Sequence, residues 1–332
     1  ILNYICFFLY KFYSKLANLS NIKIKGLLLG YDLNKKLVIA ISSRALFNLE
    51  DENKIFEEKG LDEYYKYQIE NENLLPKKGT GFRLVKNLLR INDDFPNDKQ
   101  VEVIIMSRNN SATSLRITKS IEKYKLDIQR SAWSGGDDIS KYLKPFKVDL
   151  FLSANEQDVQ NAINEGIAAA RILPYEENEE EYSTQVKIAF DGDAVLFSEE
   201  SEIIYKTQGL EAFLAYEKQN ASNAMNYGPF AQLLKVISNI QAKYPHEQTP
   251  IRTALITARN SPAHERVIRT LSQWNVRLDE AFFLGGVDKY EVVKAFGADI
   301  FFDDQDVHLE NTSKVAPSAK VPYKKESILN NI

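Results

Sequence analysis

The feature that most constrains the fold of this chain is an internal repeat with a period of about 150 residues. Four segments of the first half match four segments of the second half in the same order. The matched segments are "LVIAISSRALFNLE" (37–50) with "VKIAFDGDAVLFSEE" (186–200), "IIMSRNNS" (104–111) with "LITARNSP" (255–262), "SGGDD" (134–138) with "LGGVD" (284–288), and "VDLFLSANEQDV" (148–159) with "ADIFFDDQDV" (298–307). Four matches at offsets of 149 to 151 residues predict two copies of one fold.

Each copy alternates short apolar runs with amphipathic helical patterns. In the second copy, the predicted strands are "VKIAFD", "RTALITA", "EAFFLGG" and "ADIFFDD", and helical patterns separate them. One of these helices is predicted to begin at Pro262 after an N-cap at Ser261. Strands that alternate with helices predict an α/β fold, with a parallel sheet that is covered by helices on both faces.

The repeat also divides the chain into segments. We expect a leader (1–35), a first copy (36–171), an acidic linker (172–186), a second copy (187–323) and a tail (324–332). The second copy has room at about 199–247 for a helical cap over the strand ends, and such a cap would exclude water from a site.

Composition excludes several functional classes. The formal net charge is −4 and no stretch is strongly basic, which argues against a nucleic-acid partner. One cysteine excludes internal disulfide frameworks and cysteine zinc sites. The longest apolar run near the N-terminus, Tyr4 to Tyr10, is seven residues long, far short of a membrane span. We therefore expect no membrane partner and a cytoplasmic location.

Acidic side chains follow the predicted strands of the second copy. Asp191 and Asp193 come directly after one strand, and Asp303 and Asp304 end another; Thr257 ends a third. The carboxyl ends of parallel strands meet at one edge of a sheet, where ligands bind. Carboxylates brought together there repel one another unless a cation joins them, and oxygen ligands favour Mg²⁺. The plainer alternatives are that the first pair caps a helix and the second lies in a turn.

Four segments of the second copy resemble the motifs of a known superfamily. "FDGDAVLF", "LITARN", "DKYEVVK" and "IFFDDQ", in that order, are similar to the four motifs of the haloacid dehalogenase superfamily of phosphohydrolases. More narrowly, residues 37–323 resemble the type I cytosolic 5'-nucleotidases, with further similar words in "SSRALF", "NEGIAAA", "GPF" and "VPY". The resemblance implies two tandem Rossmann-like, haloacid dehalogenase-like copies, of which the second is catalytic and carries the cap.

The resemblance also implies a role for each motif residue. Asp191 would be the nucleophile and a Mg²⁺ ligand, and Asp193 would be the general acid/base with its carbonyl on the metal. Thr257 would bind the phosphoryl group, and Lys289 would neutralise the nucleophile and the phosphate. Asp304, and less directly Asp303, would complete the metal site. For the lysine role, Lys294 on the same predicted helix is the alternative.

The first copy lacks these groups. Ser42 and Arg44 stand at the positions of Asp191 and Asp193, Met106 stands at that of Thr257, and Ser153 and Ala154 stand at those of Asp303 and Asp304. The first copy is therefore degenerate, and either packs against the second or binds an anion through Arg44 and Arg108. In the second copy Arg259 either pairs with an acid or contacts the substrate.

These expectations converge on a Mg²⁺-dependent 5'-nucleotidase that hydrolyses nucleoside 5'-monophosphates, with AMP favoured by the resemblance. The alternatives are a phosphatase of the same superfamily acting on a sugar phosphate, and a nucleotide sensor without catalysis. A phospho-accepting receiver is a further rival, but its acid pair precedes the phosphorylated aspartate, whereas here the double acid comes last. An effector nucleotide and a homo-oligomer stay open as further partners.

Overall fold

The computed structural model describes residues 31–111, 113–176 and 185–332. The chain divides into two units, Ile1–Lys35 and Lys36–Ile332, and every helix and strand given below belongs to the second unit. Residues 1–30 of the predicted leader and 177–184 of the predicted acidic linker lie outside the described residues.

The first half, residues 36–172, alternates strands and helices as its sequence pattern predicts. Its strands and helices, in chain order, are β1 (Leu37–Ile41), α1 (Ser43–Leu46), β2 (Phe47–Asn48), α2 (Glu50–Glu70), β3 (Lys77–Lys78), α3 (Phe82–Arg90), β4 (Val101–Ser107), α4 (Leu115–Lys123), β5 (Arg130–Trp133), β6 (Leu150–Ser153), α5 (Glu156–Asn164) and β7 (Ala169–Ile172). Single 3₁₀ turns lie at Ile91–Asp94 and Ser140–Tyr142.

The second half, residues 186–332, follows the same alternation. Its strands and helices are β8 (Val186–Phe190), α6 (Glu200–Gln219), α7 (Ala231–Gln241), β9 (Ile251–Thr257), α8 (His264–Trp274), β10 (Glu280–Phe283), α9 (Lys289–Phe296), β11 (Ile300–Asp303), α10 (Asp306–Thr312) and β12 (Ser318–Lys320). An irregular turn, Gly192–Leu196, follows β8, and 3₁₀ turns lie at His246–Gln248 and Ile328–Asn331.

Ten strands form one sheet in the order β10-β9-β8-β11-β12-β7-β6-β1-β4-β5. All neighbouring strands are parallel except β12 and β7, which pair antiparallel where the two halves meet. The predicted α/β class is therefore confirmed, with a large, mostly parallel sheet. The sequence pattern did not indicate that the halves share a sheet, because β7 and β12 are short and carry no periodic signal.

Strand neighbours recur between the halves. β1 lies between β4 and β6, and β8 lies between β9 and β11. A buried aspartate supports each inner strand: the Val38 amide donates to Asp149 Oδ2 (2.9 Å), and the Lys187 amide donates to Asp299 Oδ2 (2.7 Å). Asp299 also contacts the first half, through an ion pair of 2.6 Å with Arg83 and a hydrogen bond of 3.3 Å from Asn87 Nδ2.

The long helices α2 and α6 break at equivalent glycines. Gly60 has φ 83° and ψ −176°, and Gly209 has φ 84° and ψ −179°, a conformation that other residues rarely adopt. Beyond each break, an arginine lies over a tyrosine ring: Arg116 over Tyr67 at 5.9 Å, and Arg266 over Tyr216 at 5.2 Å. The repeat offset in these two helices is therefore 149 residues.

The core lies on both faces of the sheet, as the continuous apolar strands predict. Every residue of β1 and β4 is buried. In the second half, a cluster of buried side chains that includes Ala189, Ile256 and Phe301 packs β8, β9 and β11 against α9. The helix predicted to begin at Pro262 begins at His264 instead, because residues 261–263 form a turn. No helix among the described residues has the length and apolar character that crossing a membrane requires.

Candidate active site

Three neighbouring strands deliver the predicted site residues to one edge of the sheet. Asp191 directly follows β8, Thr257 ends β9, and Asp303 and Asp304 lie at the end of β11. The order β9-β8-β11 brings these ends together, and all four side chains are buried. Strand ends, rather than helix caps or surface turns, therefore position these groups.

Lys289, the first residue of α9, joins two of the acids. Its Nζ lies 2.6 Å from Asp191 Oδ1 and 2.7 Å from Asp303 Oδ2, and its side chain is 1% exposed. Asp288 caps the helix by accepting from the Tyr290 amide, which fixes the start of α9 at this point. The alternative, Lys294, is exposed and lies over the Tyr290 ring at 5.8 Å.

Asp191, Asp303 and Asp304 form a cluster in which carboxylate oxygens lie within 4.8 Å of one another. Tyr323 donates to Asp304 Oδ2 at 2.5 Å. Within the described part of the chain, the buried Asp304 Oδ1 has no hydrogen-bond partner. An unpartnered buried carboxylate oxygen is costly, and it leaves a donor atom that a cation could take up.

The charges of this cluster do not balance. Burial raises the pKa of Asp191 to about 6, against the opposing effect of Lys289, and burial together with the charge of Asp303 raises the pKa of Asp304 well above its ordinary value. Burial alone would lower the pKa of Lys289, but the charges of Asp191 and Asp303 outweigh it and raise that pKa. Three carboxylates against one ammonium leave a surplus of negative charge.

The composition of the cluster suits a divalent cation. Its donors are carboxylate oxygens, which Mg²⁺ prefers, and one of them has no partner among the described residues. Asp191, Asp303 and Asp304 would hold the ion.

Asp193 faces a different partner. Arg259 donates two hydrogen bonds to the Asp193 carboxylate, from Nε to Oδ2 (2.7 Å) and from Nη2 to Oδ1 (2.6 Å). The next residue, Ala194, has φ 59°, which is rare outside glycine and turns the chain sharply after Asp193. Of the two roles expected for Arg259, pairing with an acid or contacting the substrate, the structure shows the first.

Glu217 on α6 holds the other side of Arg259. Its Oε2 lies 2.6 Å from Arg259 Nη1, and its Oε1 accepts from Ser201 (2.7 Å) and from Arg266 (3.0 Å). Glu217 is 1% exposed, and the sequence analysis missed it. Nothing in the local sequence separates it from exposed acids such as Glu211 on the same helix.

Thr257 lies against the backbone of the turn after β8. Its Oγ1 accepts from the Arg259 amide at 3.3 Å, and a Cβ at Gly192 would approach this oxygen to 3.3 Å. Glycine at position 192 therefore lets the hydroxyl lie close to the backbone that follows Asp191.

Glu202 and Tyr323 extend the site beyond the predicted residues. Glu202 accepts from Gln305 Nε2 (3.2 Å), and burial, followed by the charge of Asp193, raises its pKa to about 7. Tyr323 belongs to the word "VPY", which was noted only for its resemblance. Glu202 follows Asp193 by nine residues and Tyr323 follows Asp304 by 19, but neither belongs to a strand end that predicted a site residue.

Arg44 and Arg108 lie elsewhere. Arg44 donates to Glu50 (3.0 Å) and Asn53 (2.8 Å), and Arg108 donates to Asp158 (2.7 Å). Both line a cleft of about 390 Å³ that is built entirely from first-half residues. The structure does not bring these arginines to the carboxylate cluster.

Comparisons with known proteins agree with this geometry. A family model described as 5'-nucleotidase matches residues 29–328. The chain is 36% identical over 300 residues to the protein named cytosolic 5'-nucleotidase 1B of Homo sapiens. The match covers 87% of this chain and 49% of the human protein, so the chain spans about half the length of that curated relative. With a family match over most of its length and the acids, threonine and lysine gathered at one sheet edge, the chain belongs to the 5'-nucleotidase family.

Proposed function

We propose that this chain is a Mg²⁺-dependent 5'-nucleotidase that hydrolyses nucleoside 5'-monophosphates through an aspartyl-phosphate on Asp191. One observation carries the proposal: Lys289 joins Asp191 to Asp303 beside Asp304, whose buried Oδ1 has no partner among the described residues. A surplus of buried negative charge favours a cation and, through it, a phosphate. Family membership supports the substrate class, and AMP is the favoured member from the resemblance.

In the first step, an oxygen of Asp191 attacks phosphorus, the Asp191–phosphorus bond forms and the bond to the 5'-oxygen breaks. Asp193 gives its proton to that oxygen, which leaves as the nucleoside hydroxyl. In the second step, Asp193 takes a proton from water, whose oxygen attacks phosphorus and releases phosphate from Asp191. Bound Mg²⁺ would neutralise phosphoryl charge during both steps.

Lys289 and Thr257 serve the phosphoryl group in this proposal. Lys289 places a positive charge 2.6 Å from Oδ1 of Asp191, the proposed nucleophile. Thr257 presents a hydroxyl at the end of the neighbouring strand, close to Gly192. Hydrogen-bond donors that are already fixed in a buried site can stabilise the charge that develops on the phosphoryl group without first having to reorient.

Arg259 is a positioning residue in this proposal. Its two hydrogen bonds to Asp193 Oδ1 and Oδ2 fix the orientation of that carboxyl group in the turn after β8. Glu217 on α6 holds Arg259 from the other side, which links the proposed cap to the acid.

We propose further that residues 36–171 and 187–323 are tandem haloacid dehalogenase-like copies, with a linker at 172–186, a cap at about 199–247 and a tail at 324–332. The recurring strand neighbours and the equivalent breaks at Gly60 and Gly209 support this division. The name of the human relative supports a cytosolic location. A homo-oligomer and an effector nucleotide stay proposals.

A substrate panel tests the function. Phosphate release from nucleoside 5'-monophosphates should exceed release from sugar phosphates by at least about a hundredfold in kcat/KM. Comparable rates on sugar phosphates would favour the sugar-phosphate phosphatase. Binding of nucleotides without any turnover would favour the sensor.

A further inference from the structure

The first-half cleft lies at the sheet edge equivalent to the candidate active site. It is bounded by Ser42 and Ser43 after β1, by Ser107 and Asn109 at the end of β4, and by Phe56 and Tyr64 on α2. Its volume of about 390 Å³ falls within the range of roughly 300–1,000 Å³ that is usual for small-molecule sites. No residue of the carboxylate cluster lines it.

Two positions near the first-half cleft carry different side chains from their counterparts in the second half. By the repeat offsets, Arg108 matches Arg259, but the positions of its acid partners, Asp193 and Glu217, hold Arg44 and Gln68. Arg108 turns instead to Asp158, with Nε at 2.7 Å and Nη2 at 2.6 Å. The first-half cleft therefore has no equivalent of the contacts that Arg259 makes with Asp193 and Glu217, and a cavity lies at the corresponding place.

The inner wall of the cleft is a network of uncharged polar groups. Ser43 and Ser107 are hydrogen-bonded through their hydroxyls at 3.0 Å, and Asn109 Oδ1 accepts from Ser107 at 2.8 Å. Asn109 Nδ2 donates weakly to the Tyr64 hydroxyl at 3.4 Å. Hydroxyl and amide groups that both donate and accept suit the hydroxyls of a sugar ring.

The outer wall is apolar and aromatic. Phe56 and Tyr64 form an edge-to-face pair with centroids 5.9 Å apart, and Leu49 and Leu61 also line the cleft. Phe56 is 47% exposed, so part of its ring is free to cover a flat ligand. Aromatic rings of this kind pack against planar heterocycles.

The charges that line the cleft are already matched. Arg108 pairs with Asp158, Glu52 pairs with Arg116 at 2.6 Å, and Arg44 pairs with Glu50. Because the lining offers no surplus positive charge, a dianionic phosphate gains little there. A neutral ligand with hydroxyls at one end and a flat ring at the other fits all three observations.

We propose that the first-half cleft binds a nucleoside, with its ribose on the Ser43–Ser107–Asn109 wall and its base beside Phe56. The ligand class is the one that the proposed reaction releases, but we infer it from the residues that line the cleft and not from that reaction. Binding is non-covalent and uses no residue of the carboxylate cluster.

The test measures adenosine binding to the full chain by titration calorimetry, using Asn109→Leu and its repeat counterpart Asn260→Leu as a matched pair. Asn109→Leu should weaken adenosine binding about tenfold, because a hydrogen-bonding amide of the cleft is lost. Asn260→Leu, at an exposed position beside the second-half site, should leave this affinity unchanged. Phe56→Ala, an exposed rim residue, should weaken adenosine binding to a similar extent and fold normally.

Three results would overturn the proposal. Adenosine binding could be undetectable in the wild type, or unchanged in both Asn109→Leu and Phe56→Ala. Alternatively, AMP or inorganic phosphate could bind more tightly than adenosine and lose that affinity in Arg108→Ala, which would assign an anion to the cleft. Phosphate release from AMP, assayed on the same variants without adenosine, separates this outcome from failure of the proposed function.

Discussion

Lys289 Nζ lies 2.6 Å from Asp191 Oδ1, and both side chains are buried at the end of β8. The same nitrogen contacts Asp303 at 2.7 Å, so one ammonium group is shared by two carboxylates from neighbouring strands. This contact joins two segments that lie 98 residues apart in the chain. The contact places the ammonium group of Lys289 against both carboxylates, whereas Lys294 is exposed.

Replacing Lys289 with methionine should therefore lower kcat/KM for AMP by about 10²- to 10³-fold, the usual effect of losing one fixed charge donor. The stability should also fall, because two buried carboxylates lose their partner. Steady-state kinetics and circular dichroism separate the two effects. Lys294→Met is the control and should retain wild-type kinetics; the reverse ranking of the two variants would refute the assignment.

Mg²⁺ should raise the melting temperature of the wild type, because a ligand that binds only the folded state stabilises it. Asp304→Asn should lose most of this shift, since it removes a carboxylate whose Oδ1 has no partner among the described residues. Asp306→Asn is the matched control, because Asp306 is an exposed acid two residues along. A full Mg²⁺ shift in Asp304→Asn would place the ion elsewhere.

Arg259→Lys should reduce kcat for AMP by about tenfold or more and change KM by less than about threefold. Lysine cannot reproduce the two parallel hydrogen bonds that hold Asp193. Arg108→Lys, at the matching position of the first half, should keep wild-type kinetics in the absence of added nucleoside. A purely structural role for Arg259 predicts instead a loss of folded protein with unchanged kcat in the folded fraction.

The two equivalent aspartates, Asp149 and Asp299, should contribute differently to stability at pH 7.5. Burial raises the pKa of Asp149 to about 6 in the folded protein, whereas its ordinary value is 3.8. The folded state therefore binds the proton more tightly, and the contribution of Asp149 to stability falls as pH rises from about 4 to 6. This loss is at most about 3 kcal/mol, and partial exposure reduces it.

Asp149→Asn should accordingly show a weaker pH dependence between pH 4.5 and 7.5, and should be no less stable than the wild type at pH 7.5. Asp299→Asn should be the less stable of the two at pH 7.5, because it also removes the carboxylate that faces Arg83 at 2.6 Å. Urea unfolding at both pH values measures this. Equal losses in the two variants would contradict the difference drawn between them.

The sequence was sufficient to predict the strand ends and their acids. Asp191, Thr257 and Asp303 follow continuous apolar runs, and parallel strands bring their carboxyl ends together whatever the connecting segments do. The repeat also allows the two halves to be compared. Ser42 and Arg44 occupy the positions that match Asp191 and Asp193, after an apolar run like the one that precedes those acids.

The groups that the sequence did not indicate are those fixed by distant contacts. Glu217 is buried against Arg259, which follows β9, and against Arg266 of α8; these arginines lie 42 and 49 residues away in sequence. Tyr323 meets Asp304 through the chain that follows β12. The antiparallel pairing of β7 with β12 could not be predicted from the sequence either, because pairing between the halves leaves no periodic pattern in either strand.

The most direct test of the proposed mechanism is phosphate release from AMP by the wild type and by Asp191→Asn, each with Mg²⁺ and with a chelator. Asparagine keeps the shape of the side chain but cannot attack phosphorus. The wild type should release phosphate only with Mg²⁺, and Asp191→Asn should be at least about 10³-fold slower while remaining folded. Equal rates in the two proteins, or a wild-type rate that ignores the chelator, would contradict the account.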